Sequence, residues 1–339
     1  MPLRAGLGLR RFYRLHLGRP LGGSTPPGPA SAVARVEAPE DPEGRPEGVP
    51  PEPALEPLRS FLEEAGLPVP ARLASDPERG IDLLEDLGDR TLEAAAKPAA
   101  PEERRALYAE AVALVPRLQR LADPSGRVPA FGRRLDAALL AYKGRLFARA
   151  SLPEALGRAP TAVEAEVVRA GFARIAELLE AAPRRLAHRD LQSRNLLLRP
   201  AGLPGARLAM IDLQGAFLAP PEYDLVCLLR DSYVELPEEE VEAHCAAARQ
   251  ALPDRPSAER FRERFELLAL ARKAKDHARF LDVARRRGDA RELAHVPATV
   301  RALRAAASRV ADAHPELARL AELVRALPER APEAPPCAR

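Results

Sequence analysis

Tryptophan is absent from this chain, methionine occurs twice and cysteine three times. The cysteines, Cys227, Cys245 and Cys337, have no paired spacing. That excludes a disulfide framework and a zinc knuckle, and it fits a reducing, cytoplasmic compartment. No stretch approaches the roughly 18 uninterrupted apolar residues of a membrane helix, so no membrane partner is expected. An excess of one charge is missing as well: 52 basic residues face 49 acidic ones, a formal net charge of +3 over 339 residues. Bulk charge gives no sign of a nucleic-acid partner. Lysine is rare. Lys97, Lys143, Lys273 and Lys275 are the only four, so nearly all the basic charge is arginine. With 36 prolines and abundant alanine, this reads as the coding bias of a GC-rich genome rather than as function. Acid is absent from the first 36 residues, which carry Arg4, Arg10, Arg11, Arg14, Arg19 and Arg35. That composition also suits an organelle transit peptide, but the motifs give it another use.

What is present is a globular balance, 46% hydrophobic and 30% charged. Residues 9–15 and 31–37 are short, apolar-rich and separated by a Gly/Pro/Ser run, which predicts two strands. The Pro/Glu-rich stretch 38–53 predicts a mobile loop. A helix is expected over 54–65, then strands over 69–74 and 80–84, then a linker turning at Gly88. From about residue 100, apolar periodicity predicts amphipathic helices over 102–122, 133–148, 161–181, 238–251, 257–287, 289–312 and 315–327. Strand-like pieces at 196–200 and 207–213 interrupt them, and the tail reads as disordered. The expected domains are a β lobe at 1–88, a helical lobe at 89–327 and a disordered tail at 328–339.

The chemistry lies in His188-Arg189-Asp190-Leu191-Gln192-Ser193-Arg194-Asn195, followed 17 residues later by Asp212 in MIDLQ. This is the H-R-D-x₄-N spacing of a phosphoryl-transfer loop. The reaction needs a carboxylate to orient the acceptor hydroxyl and take its proton, and oxygen ligands for Mg²⁺ on the triphosphate. Asp190 is the expected base, with His188 and Arg189 supporting its loop, and Asn195 and Asp212 are the expected metal ligands. ATP and Mg²⁺ are the expected cofactors. The alternative is that Asp190 and Asn195 cap turns and Asp212 closes a hairpin.

The stretches HRDLQSRNLLL and MIDLQGAFLAPPEYDLVCLLRDSYVEL resemble the aminoglycoside phosphotransferase and choline kinase superfamily. They are most similar to its bacterial anomeric kinases of N-acetylmuramate and N-acetylglucosamine. GLGLRRFYRLHL is similar to the first hairpin of those kinases, and GLPVPARLASDPERGIDLLEDLGDRTL to their fourth and fifth strands with the hinge. The resemblance implies an α+β, protein-kinase-like two-lobe fold with a small antiparallel β lobe and a large helical lobe. It implies ATP between the lobes and a small-molecule sugar as substrate, phosphorylated at its anomeric hydroxyl in cell-wall sugar salvage. It places Gly6, Gly8, Arg10 and Arg11 over the phosphates, where glycine backbone and arginine charge suit an anion. The backbone of the hinge, with Glu85 and Leu87, would read adenine. A monomer is expected.

The chain departs from the wider kinase pattern. No lysine precedes Lys97, so Arg35, the basic residue on the candidate strand, either substitutes for the phosphate-holding lysine or faces solvent, and Glu56 or Glu63 is the candidate partner acid. Leu191 and Gln192 stand where the sugar kinases carry an aromatic and a histidine. Asp212 is followed by Leu213-Gln214-Gly215, so the glycine comes one place late. The short run from Asp212 to Pro220 leaves no room for an activation loop, which favours a small-molecule acceptor over a protein. Asp224 either begins the next helix or hydrogen-bonds back to the catalytic loop. Arg230 and Tyr233 are expected on one face of that helix, where Arg230 either meets a substrate carboxylate or makes a surface salt bridge. Two other readings stay open: an antibiotic-modifying aminoglycoside phosphotransferase, which needs an acidic acceptor pocket, and a nucleotide-binding pseudokinase scaffold.

Overall fold

The computed structural model describes residues 1–3, 10–17, 30–37, 51, 53–200 and 206–330. Gly6, Gly8, nearly all of the 38–53 stretch and most of the expected tail lie outside the described residues.

Short β-rich segments near the N-terminus pair into one antiparallel sheet. It contains β1 (Arg11–His16), β2 (Ser31–Val36), β3 (Arg72–Asp76) and β4 (Ile81–Glu85), in the order β1-β2-β4-β3. Between β2 and β3 lies α1 (Leu58–Glu64), shorter than the sequence suggests because the helix opens only after Pro57, a residue suited to helix starts. Its Leu58 and Leu62 are buried with Leu67, Val69 and Leu84. Gly80, expected as a strand residue, is instead the turn before β4, with φ at +63°.

The chain then enters the helical lobe through α2 (Leu92–Ala96), capped by Thr91, whose side chain accepts from the Ala94 N–H at 3.1 Å. There follow α3 (Pro101–Gln119), α4 (Ala137–Ala150), α5 (Leu152–Leu156) and α6 (Ala162–Glu180). Asp136 caps α4, and a Thr161/Glu164 capping box opens α6. Four three-residue strands come next: β5 (Arg185–Ala187), β6 (Leu196–Leu198), β7 (Leu208–Met210) and β8 (Phe217–Ala219). The lobe closes with α7 (Tyr223–Leu229), α8 (Glu238–Ala251), α9 (Ala258–Arg287), α10 (Val296–Ala313) and α11 (Ala318–Arg325). The expected 289–312 helix is split, because a 3-10 turn at Arg291–His295 precedes Pro297 in the first turn of α10. Among the described residues no helix is long and apolar enough to cross a membrane.

Two packing relationships position the site. Helix α9 packs against α4 and α10, and α4 also packs against α6. The lobes are tied by Arg14, whose guanidinium reaches Asp86 at 2.6 Å and Asp89 at 2.6 Å, and by Arg199, which reaches Glu85 at 2.8 Å.

Candidate active site

Two short ladders bring the candidate residues together. Strands β6 and β7 pair Leu196 with Met210 and Leu198 with Leu208, and the Ile211 N–H donates to the Asn195 carbonyl at 3.0 Å. Asn195 and Asp212, 17 residues apart in sequence, therefore sit at the same end of one hairpin. Strands β5 and β8 pair Ala187 with Phe217, which fixes the start of the His188–Asp190 loop beside the segment after Asp212.

Buried acceptors hold that loop. Asp224 takes the backbone N–H of His188 at 2.7 Å and of Arg189 at 3.0 Å, which is the second of the two roles left open for it. Burial pushes the Asp224 carboxyl up, while His188 and these two N–H groups oppose the rise. Arg189 lies at φ +77° and Asp212 at φ +63°, both in the left-handed region and both flanking the cleft. Strain of this kind persists where surrounding bonds over-determine the backbone. His188 Nε2 lies 2.9 Å from the Ile211 carbonyl and its Nδ1 accepts from the Asp190 N–H at 3.3 Å, which assigns the Nε2–H tautomer. Asp231 accepts from the Ser193 N–H at 3.0 Å and from its hydroxyl, pinning the loop's middle.

Asp190 is about one-third exposed at the cleft, and its carboxylate ion-pairs with Arg272 of α9. Burial pushes the Asp190 carboxyl up, but Arg272 and Lys275 outweigh it and hold it at about 2. The Asn195 side-chain amide donates to the Asp190 carbonyl at 2.8 Å, so its Oδ1 is the end able to ligate a cation. Asp212 accepts from Gln214 at 2.5 Å and lies 3.9 Å from the Arg10 guanidinium. One carboxylate and one amide oxygen fit Mg²⁺, a hard ion that fills its remaining positions with phosphate oxygens and water.

The cleft beside Asp190 is small, about 100 Å³, and opens to solvent. Leu139, Tyr142 and Lys143 of α4 form one wall, Arg272 and Lys275 of α9 another, and Tyr223 of α7 lies between. Lys143, Arg189, Arg272 and Lys275 outnumber the two acids, Asp190 and Asp212.

Other expected residues are placed elsewhere. Arg35 is buried within the β lobe and engaged by Glu37 at 2.5 Å and Asp82 at 3.1 Å. Its partner is neither Glu56 nor Glu63, because both are held by Arg59 of α1, at 2.5 and 2.8 Å. Arg10 reaches Glu37 at 3.2 Å as well as facing Asp212, while Arg11 is exposed at the start of β1. Glu85 ends β4 and Leu87 is buried in the hinge. Arg230 and Tyr233 do not share a helix face, because α7 ends at Leu229 and Asp231 turns back to take the Tyr233 N–H at 3.2 Å. Arg230 makes the salt bridge instead, to Glu238 at 2.6 Å. Tyr233 packs its ring 3.7 Å beneath the Arg194 guanidinium.

The sequence reading missed Lys143, Arg272 and Lys275. A signal was available, since three of the four lysines in this arginine-biased chain are Lys143, Lys273 and Lys275. All three fall on α4 and α9, and Lys143 and Lys273 are buried.

Asp190, Asn195 and Asp212 are thus gathered at one end of the β6–β7 hairpin, beside a cleft of the helical lobe, in the spacing of a phosphoryl-transfer loop. The chain belongs to the phosphotransferase enzyme family, whose model matches residues 32–261, and it is a kinase of that family. It is 34% identical over 283 residues to the N-acetylmuramate/N-acetylglucosamine kinase of Pseudomonas aeruginosa, covering 81% of this chain and 78% of that protein. The protein of that name from Neisseria meningitidis is 31% identical, covering 76% of this chain and 75% of that protein. In fold, the chain is similar to the choline kinase LicA from Streptococcus pneumoniae, with a TM-score of 0.56, 16% identity, and coverage of 83% of this chain and 86% of that one.

Proposed function

We propose that this kinase is a cytoplasmic enzyme that transfers the γ-phosphate of ATP to the anomeric hydroxyl of an N-acetylated amino sugar, N-acetylmuramate or N-acetylglucosamine, in cell-wall sugar salvage. The names of the relatives at 31% and 34% identity support that acceptor class. The observation that carries the reading on this chain is the cleft itself. It pairs a catalytic carboxylate with a cationic lining, and so suits a neutral or acidic sugar rather than a polycationic antibiotic.

In this reading Asp190 accepts a hydrogen bond from the anomeric hydroxyl and takes its proton as the phosphoryl group arrives. Held at about 2 by Arg272 and Lys275, Asp190 is a weak base, so its main contribution is orientation. A hemiacetal hydroxyl eases the task, because the ring oxygen makes it more acidic than an ordinary alcohol. Asn195 and Asp212 would hold Mg²⁺, which when bound neutralises triphosphate charge. Arg10, facing Asp212, would complement the phosphates together with Gly6, Gly8 and Arg11, Arg35 would support the phosphate side of the β lobe, and the 85–87 backbone would meet adenine.

The test is ADP release from Mg-ATP with N-acetylmuramate, N-acetylglucosamine, plain hexoses and kanamycin as acceptors, with Asp190→Asn as control. Turnover confined to the N-acetylated sugars and lost in the variant is the expected result. Turnover on kanamycin alone, or on none of them, overturns the reading.

A further inference from the structure

The acceptor pocket contains one cation that this reaction scheme leaves unused. Lys143 is 4% exposed, and among the described residues no carboxylate pairs with it. Its hydrogen bond runs to the Tyr223 phenol oxygen at 3.3 Å, and its ammonium lies 5.1 Å from that ring's centroid. An ammonium carries three donors, and one neutral partner satisfies one of them. Its neighbours are placed differently. Lys275 pairs with Asp276 at 3.0 Å, and Arg272 is shared between Asp276 at 3.1 Å and Asp190. Burying an ammonium without an anion is costly, and methionine would fill the same space without that cost. Arginine bias makes the choice more pointed, because a compact point charge has been kept where nearly every other cation is a guanidinium.

We propose that Lys143 is a specificity-determining residue of the acceptor site, and that its ammonium pairs with an acidic group carried by the sugar. This rests on the sugar-kinase reading and deepens it by choosing between the two acceptors. N-acetylmuramate carries a lactyl carboxylate on O3, two ring carbons from the anomeric hydroxyl, and N-acetylglucosamine carries no acid. With the anomeric hydroxyl at Asp190, the lactyl group stays within the same pocket, whose α4 wall presents Lys143 beside Leu139 and Tyr142. Those apolar surfaces suit the face of a pyranose ring. The phosphate side of the cleft has its own cation, Arg10 beside Asp212.

The experiment compares kcat/KM for N-acetylmuramate, its neutral lactyl methyl ester and N-acetylglucosamine, in the wild type and in Lys143→Met. Loss of a charge-assisted hydrogen bond predicts that the wild type prefers the free acid over the ester by about 10- to 100-fold. In the variant that preference collapses toward parity. A variant that keeps the preference, or that loses all three substrates equally with a raised KM for ATP, overturns the assignment. The ester comparison needs no variant, so misfolding of Lys143→Met leaves a decisive result. A wild type that turns over both sugars without separating acid from ester overturns this proposal alone. A wild type inactive on all three overturns the sugar reading and this proposal with it.

Discussion

The guanidinium of Arg272 ion-pairs with the carboxylate of Asp190 while also donating to the Arg189 carbonyl at 3.0 Å. A residue on α9, more than 80 positions downstream, thereby sets both the position and the charge of the expected base. The same guanidinium reaches Asp276, which is also held by Lys273 and Lys275.

That relationship predicts a pH dependence. Asp190 sits at about 2, below the ordinary aspartate value of about 3.9. It therefore contributes stability above about pH 4, lost as pH falls toward 2. In the wild type, Asp190 stays ionised across mildly acidic conditions. Replacing Arg272 with methionine leaves burial, which pushes the carboxyl up, opposed by Lys275 alone. In Arg272→Met, kcat/KM at pH 5.5 relative to pH 8 should fall below the wild-type ratio. A profile merely scaled down at every pH would show that Arg272 does not set Asp190's ionisation.

Lys143 predicts an opposite trend in stability. Burial, reinforced by Arg272 and Lys275, lowers its ammonium to about 7, against about 10.4 for a free lysine. Below pH 7 the folded state carries the full cost of the buried charge. Between about pH 7 and 10 the unfolded chain binds more protons than the folded one, so stability rises with pH. Lys143→Met should raise the melting temperature more at pH 6 than at pH 9.5, as often happens when a functional polar residue is replaced. An equal shift at both values would contradict a buried, charge-unpaired lysine.

Asp224 anchors the His188–Asp190 loop through two buried backbone donors. Asp224→Ala leaves both unsatisfied, at about 1–3 kcal/mol each. Urea unfolding should record a loss of roughly 2–6 kcal/mol, accompanied by a drop in kcat, because Asp190 follows directly on Arg189. Full stability in the variant would mean that water or another acceptor replaces the carboxylate.

Gly144 lies next to Lys143 on α4, and a Cβ there would come within 2.9 Å of the Phe172 ring on α6. Overpacking of this kind costs about 1–3 kcal/mol. Gly144→Ala should therefore lower stability by that amount and, by displacing α4, weaken sugar binding more than ATP binding. Steady-state KM values for the two substrates measure the split.

Much of this was legible in the sequence. The H-R-D-x₄-N spacing and the apolar runs on either side located Asp190, Asn195 and Asp212, because local hydrogen bonding and a short hairpin fix their geometry. The long helices followed from apolar periodicity. What the sequence hid depends on tertiary packing. That Arg272 meets Asp190 follows from α9 lying against α4 and the catalytic loop, and no spacing rule spans that distance. The spacing of Arg230 and Tyr233 suggests one helix face, but α7 stops at Leu229 and Asp231 serves the Ser193 backbone instead of extending the helix. For Arg35 the sequence leaves open a phosphate-holding role or exposure to solvent, and the fold gives neither by itself, because Glu37 and Asp82 engage the buried side chain within the β lobe.

Phosphorus NMR of the product formed from Mg-ATP and N-acetylmuramate tests the central claim most directly. Transfer at the anomeric hydroxyl predicts a phosphorus signal coupled to the anomeric proton, absent from reactions of Asp190→Asn. A phosphorus coupled to the C6 protons, or ATP left unconsumed in the wild-type reaction, would contradict it.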